Sequence, residues 1–314
     1  MAVGGKYNGS QKRAIQKYDA NNKEKRQYIN KRSAAKSFIL NLATYNDLMN
    51  LKEFLLNREK EIRIKKRGNR MNNWLERFTP DYLDDILVRL AHHSTAIEGN
   101  TISLPETVSI ILNNTLPSSS GTSVREFYEV DNHRQAFEFM MDMLRQDEPL
   151  SVALIQEMHS KLTDRLHYDR GQFKKNDNRI VGAEFKTALP AETPGLMIQL
   201  VDNLNHRLEV ANDDDEKIEA IVDSHIQFER IHPFSDGNGR TGRMIMNYSL
   251  LKEKLPPFIV HKSDRGVYIE RLANQDVEGL KKMAHEEMNQ ERERMIDFGH
   301  TKENEITKIE QELE

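Results

Sequence analysis

The chain has 314 residues, with 46 Lys or Arg, 50 Asp or Glu, 11 His and no Cys. That length accommodates about two domains, and a hydrophobic fraction of 37% with 15 Gly and 9 Pro excludes a collagen-like or wholly disordered polypeptide. Without Cys there is no disulfide, no thiolate metal site and no Cys nucleophile, which fits a reducing compartment.

No run approaches the ~18 apolar residues that span a bilayer, and residues 1–10 lack the apolar stretch of a secretory leader, so a cytoplasmic location with no membrane contact is expected. Charge is unevenly placed: residues 1–75 hold 18 Lys or Arg against 6 Asp or Glu, and the remainder 28 against 44. The first 30 residues show weak periodicity and read as a basic arm, whereas Leu48, Leu51, Phe54 and Leu55 repeat at helical spacing. Such a segment suits either a solvated interaction arm or a small nucleic-acid or partner-binding module, and both readings stay open.

From residue 81 the pattern becomes that of amphipathic helices. Leu83, Ile86, Leu87, Leu90 and Ala91 line one face of a helix over 81–98 that Gly99-Asn100 stops. Ser103 and Glu106, with Pro105, form a capping-box start for the next helix. A Ser-, Thr- and Asn-rich loop over 113–123 precedes two core helices over 125–144 and 151–162. Residues 171–190 break the helical rhythm and predict a β-hairpin. Helices return over 194–210 and 216–231, again after residue 243, near Tyr268, and from 276 into a charged C-terminal stretch.

Residues 232–243 read His-Pro-Phe-Ser-Asp-Gly-Asn-Gly-Arg-Thr-Gly-Arg between two helical patterns. Gly237 and Gly239 let backbone N–H groups approach an anion, and the helix that follows adds the partial positive charge of its N-terminus. Arg240 and Arg243, three apart, offer guanidinium forks on one side of the first turn, which suggests a polyphosphate. Asp236 beside phosphates implies a divalent cation, Mg²⁺ or Mn²⁺. His232 is the candidate base for a hydroxyl that attacks phosphorus. Phe234 reads as a packing anchor and His225 as a buried neighbour of the loop. Adjacent His92 and His93 diverge on a helix, which argues against a His metal site.

All eight fixed positions of His-x-Phe-x-[Asp/Glu]-Gly-Asn-Gly-Arg-x-x-Arg are present, and the chain resembles the Fic (filamentation induced by cAMP) family of AMP-transferring enzymes. The resemblance, over residues 81–289, implies an all-α Fic fold, a helical bundle with a short β-hairpin flap, preceded by the small basic N-terminal segment. Together with the charge pattern, it divides the chain into the basic segment over 1–75, a Fic region over 76–290 that includes the inhibitory helix 81–98, and a charged helical tail over 291–314. It further implies that His232 activates a Ser, Thr or Tyr hydroxyl of an unknown target protein, or of the chain itself, for attack on the α-phosphate of ATP. Asp236 would hold the cation, Gly237, Asn238 and Gly239 the anion nest, Arg240 the β-phosphate region and Arg243 the γ-phosphate. Ile180, Val181, Gly182, Ala183, Glu184, Phe185 and Lys186 would form the flap that docks a target strand.

Two departures stand out: Gly171-Gln-Phe-Lys174 has Lys where the family usually has Arg, and Ile269 follows Tyr268 where a second aromatic residue is common. Ser94-Thr-Ala-Ile-Glu98-Gly99 resembles the family's inhibitory motif, which implies that Glu98 pairs with Arg243 and keeps it from ATP. Alternatives at the same site are removal of AMP, transfer of another phosphate-containing group, or a nucleotide-sensing regulator that binds nucleic acid through its basic arm. Homo-oligomerisation stays open.

Overall fold

In the computed structural model, residues 78–115, 123–178 and 186–312 are described, with side chains through residue 299, together with isolated positions between 31 and 75. The chain divides into two compact units, Met1–Arg70 and Met71–Glu314, against an expected boundary at 75/76. In the first unit, Thr44 N and Oγ1 donate to Asp47 Oδ2 at 2.9 and 2.7 Å. This caps helical backbone at Asp47, Leu51, Lys52 and Phe54. Most of the basic arm lies outside the described residues.

The described residues of the second unit are helical and contain no strand. Nine α-helices follow one another: α1 Pro80–Ile97, α2 Leu104–Ile111, α3 Val124–Arg145, α4 Val152–Leu162, α5 Thr193–Val210, α6 Asp214–Ile231, α7 Asn238–Lys252, α8 Arg265–Asn274 and α9 Val277–Glu312. Their starts are written in local chemistry. Thr79, Ser151 and Asp213 each accept an N–H from the first turn, and Ser103 with Glu106 closes the expected capping box. Residues 179–185 of the expected flap lie outside the described residues, and Lys186, just beyond them, is exposed and irregular.

Helix α7 is the centre of the bundle. It packs on α6, α4, α3 and α1, and from Arg240 to Leu251 every residue is buried. Met244, Ile245, Met246, Leu250 and Leu251 meet the apolar faces of those neighbours. The polar Asn247 survives there because its amide donates to Phe258 O and accepts from Phe258 N, at 3.0 and 2.8 Å.

Helix α1 is held by ion pairs as well as by apolar packing. Glu291, 1% exposed, takes Arg89 through two N–H groups at 2.7 and 2.9 Å and Tyr82 Oη at 2.6 Å. Arg294 reaches Asp85, whose carboxylate also accepts from Arg89. Helix α9 therefore runs straight through position 290/291, where the charged tail is expected to begin, and Met295 and Phe298 pack on the core. The charge pattern hides this because the buried acid is one Glu among many.

Burial holds several imidazoles neutral, His133 and His225 down to about 3 and His159 and His232 down to about 4. Their folded-state values lie below the unfolded value of ~6.5, so the stability they supply is complete above that pH and lost on acidification toward 4. The unfolding free energy read from urea titrations should fall steeply between pH 6.5 and pH 4.5, by about 1.4 kcal/mol per pH unit for each histidine protonated only on unfolding, so the urea midpoint at pH 4.5 should lie below that at pH 7. Equal midpoints at the two pH values would contradict the burial of these rings.

Candidate active site

Helix α6 ends at His232, which takes the left-handed conformation with φ 51° and turns the chain into the loop that leads to α7. The loop's carbonyls are engaged one after another from below. Lys174 Nζ donates to Ile231 O at 3.1 Å, Asn178 Nδ2 to His232 O and Phe234 O at 3.1 and 2.8 Å, and Lys174 N to Pro233 O at 2.9 Å. His159 completes the set: its Nδ1 accepts from Gly171 N at 2.8 Å, which leaves Nε2 to donate to Asp236 O at 3.0 Å. Phe234 is fully buried and stacks on the His159 ring with centroids 3.7 Å apart.

The side chain of Asn238 belongs to the frame of the loop. Its amide brackets Phe234, accepting from Phe234 N at 2.9 Å and donating to Phe234 O at 2.8 Å. Gly237 starts α7 with φ 76°, and a Cβ there would meet Thr163 Cγ2 at 2.8 Å. At Gly239 a Cβ would collide with Glu98 Oε1 and approach Arg243 Nη1 to 3.1 Å.

The two guanidiniums are buried on the first two turns of α7, each in a residue 3% exposed. Arg243 is held by the end of α1 through three of its five N–H groups: Nε donates to Ser94 Oγ at 3.0 Å, and Nη2 to Ser94 O and Glu98 Oε1 at 2.8 and 2.7 Å. Burial opposes its charge, but the Glu98 carboxylate beside it wins and raises its pKa. Glu98 is the C-cap of α1, placed by Gly99 at φ 100° and by Arg265 Nε donating to Ile97 O at 2.7 Å. Arg240 contrasts with Arg243, for its Nε and Nη1 are buried without a hydrogen-bond partner, and Asp236 Oδ1 lies 3.9 Å from Nη2. A desolvated guanidinium with idle N–H groups is a receptor for an anion.

Asp236 Oδ2 accepts from Arg125 Nη2 and lies at the same 2.8 Å from His167 Nε2, and Oδ1 accepts from Gly237 N at 2.6 Å. Burial works against its ionisation, yet Arg240, the Gly237 N–H, His167 and Arg125 together hold its carboxyl below the usual range. Burial keeps the His232 imidazole neutral. The structure thus brings together His232, Asp236, Gly237, Asn238, Gly239, Arg240, Arg243, Ser94 and Glu98. Among the flap residues only Lys186 is described.

Several contributors were not legible in advance. Arg125 reads as one half of a surface i,i+4 pair with Glu129, and His159 and Asn178 have no local signature. Tyr268 is fully buried, and its Oη lies 2.6 Å from His225 Nε2. Glu229, three residues before His232, had a usable signal in that spacing.

Residues 149–250 match the family model described as Fic/DOC family. The chain contains a Fic domain. The loop and both guanidiniums of this Fic domain fall inside the matched segment, whereas α1 with Ser94 and Glu98 precedes it. The chain is 30% identical over 187 residues to protein adenylyltransferase Fic of Drosophila willistoni, covering 59% of this chain and 36% of that protein. It is likewise 30% identical over 184 residues to the protein of that name in Nematostella vectensis, covering 58% and 41%. It therefore spans well under half the length of these curated relatives. Among solved structures, a Fic domain containing signaling protein from Bacteroides thetaiotaomicron superimposes with a TM-score of 0.64 at 23% identity, over 76% of this chain and 97% of that one. Fic-1 (residues 134–508) from C. elegans does so with 0.61 at 22%, over 85% and 81%. The Fic domain and these two proteins share one fold.

Replacing Asn238 by Ala strands the buried N–H and C=O of Phe234, at roughly 1–3 kcal/mol for each group that finds no other partner. Phe234 O keeps Asn178, so the expected loss is about 1–3 kcal/mol, read as a lower urea midpoint at unchanged slope. An unchanged midpoint would show that the bracket contributes nothing.

Proposed function

We propose that this Fic domain is a protein adenylyltransferase that moves AMP from ATP to a Ser, Thr or Tyr hydroxyl of a target protein, or of the chain itself, and that Glu98 holds it at rest. The observation that carries this reading is the unequal state of the two buried guanidiniums. Arg240 has idle N–H groups that suit phosphate oxygens, and Arg243, the natural grip for the outer phosphate, is taken by Glu98. The carboxylate and the phosphate are alternative anions for one set of donors. The names of the relatives agree with it.

In the working state the α-phosphate would face His232. The hydroxyl oxygen bonds to the α-phosphorus, its proton passes to the imidazole, and the bond from that phosphorus to the bridging oxygen breaks to release pyrophosphate. Arg240 and Arg243 balance the charge that collects on the leaving oxygens. Among the described residues no group of three or more His, Cys, Asp or Glu could hold a metal by itself. Asp236 is instead a single ionised carboxylate beside a phosphate site, which fits Mg²⁺ or Mn²⁺ bound through one protein ligand and substrate oxygens. Bound there, the cation would neutralise phosphate charge, and Arg125 would yield its hold on Asp236. The flap over 180–186 would align the target segment.

With ATP labelled at the α-phosphate, Glu98→Gly should raise incorporation into protein at least tenfold, because Arg243 is freed. Adding His232→Ala to that variant should lower incorporation by ~10²-fold or more, with ATP binding retained. Equal labelling by the unmodified chain and Glu98→Gly would refute the resting contact, and labelling that survives His232→Ala would refute the base.

A further inference from the structure

Beneath the catalytic loop lies a carboxyl group that the reaction as described above does not use. Glu229 sits on the last turn of α6, three residues before His232, and is 7% exposed. Its Oε1 has no hydrogen-bond partner, and His232 Nδ1 interacts with the backbone carbonyl of Glu229 without reaching hydrogen-bond geometry. Oε2 of the same carboxyl lies 3.8 Å from that nitrogen. This exceeds a hydrogen bond by less than an ångström, so a small rotation of either side chain exchanges that imperfect backbone contact for a carboxylate oxygen that has no donor.

Space for the acid is provided by a residue outside the eight fixed positions of the loop. A Cβ at Gly242 would stand 2.6 Å from Glu229 Oε1 and 2.9 Å from His225 Cε1. Gly242 lies between the two guanidiniums on the first turns of α7, so the helix that grips phosphate also leaves a notch for this carboxyl.

We propose that Glu229 is a positioning residue for His232: its carboxylate accepts the Nδ1–H of the ring, which turns the Nε2 lone pair toward the incoming hydroxyl and shares the charge the imidazole gains. This rests on the adenylyltransferase reading. The balance is simple, since the hydroxyl proton moves to Nε2, the ring becomes a cation between Nε2–H and Nδ1–H, and Glu229 stays an acceptor throughout.

The charged and titratable surroundings set when the carboxyl is an anion. Arg243 faces it from α7, Tyr268 from α8, His225 and His232 from α6 itself, Glu98 from the end of α1, and Lys174 stands beside His232. Burial pushes its pKa up to about 8, with Arg243 opposing and Glu98 adding to the rise. Below that value the acid is protonated and gives no acceptor to Nδ1–H; above it the acceptor is present. Base strength at His232 is thus coupled to a second buried ionisation.

The test combines a spectroscopic titration of the full chain with kinetics. In the unmodified chain, the carboxyl ¹³C shift of Glu229 and the ring ¹⁵N shifts of His232 should inflect together near pH 8, with Nδ1 carrying the proton above it. In Glu229→Gln the His232 inflection should vanish. In a Glu98→Gly background, kcat for AMP transfer should climb with pH and level off above this inflection. Adding Glu229→Gln should lower the plateau about tenfold or more, abolish that limb and leave KM for ATP within about twofold. Inflections that do not coincide, or a pH profile unmoved by Glu229→Gln, overturn the proposal. If Glu229→Gln fails to fold, the paired titration of the unmodified chain decides alone. Coincident inflections in a chain whose Glu98→Gly variant transfers no AMP would support the Glu229 contact and reject the transferase reading instead.

Discussion

Burying a guanidinium is costly unless an anion meets it, and this requirement organises the second unit of the chain. Arg243 stands on the second turn of the most enclosed helix, where water cannot solvate it, so its charge is balanced by whichever anion reaches the start of α7. The anion in this structure is Glu98, delivered by the C-cap of α1 and supported by Ser94. Helix α1 is itself held along its length by Arg89, Glu291, Tyr82, Asp85 and Arg294. The carboxylate that occupies Arg243 is therefore presented from a rigid strut. Arg240, one turn away and equally buried, lacks such a strut, and its idle N–H groups mark where a ligand's charge is wanted.

The loop between α6 and α7 shows how a fold can hold a histidine in a strained backbone. The left-handed conformation at His232 is uncommon for a residue with a Cβ. It persists because the carbonyls around it are all engaged: Lys174, Asn178 and His159 pull on them from below, and Asn238 staples Phe234 to the start of α7. Lys174 suits this setting. Its three N–H groups reach Asn178, Thr187 and Ile231 in three directions, a task for a compact ammonium and not for a planar fork. Most carbonyls of the loop are spent on its own framework, whereas the imidazole, two nitrogens of Arg240 and the partly exposed Asp236 are not part of it.

Much of this was legible one element at a time. Helical spacing places α1, α3, α4, α6 and the capping box of α2 to within about two residues, because burial of one face and satisfaction of the first-turn N–H groups are local demands. The sequence by itself determined the all-α character, the glycine-rich turn at 232–243 between two helices, Phe234 as its anchor and the pairing of Glu98 with Arg243. Tertiary structure alone decided which polar side chains serve the frame and which serve the site. Asn238 turned inward to Phe234, Arg125 crossed from α3 to Asp236, and Glu291 left an apparently solvated charge run to lock α1. Such partners are separated by up to about two hundred positions, and a hydrogen bond between distant residues leaves no periodic trace. Its energy depends on desolvation that exists only once the helices have packed.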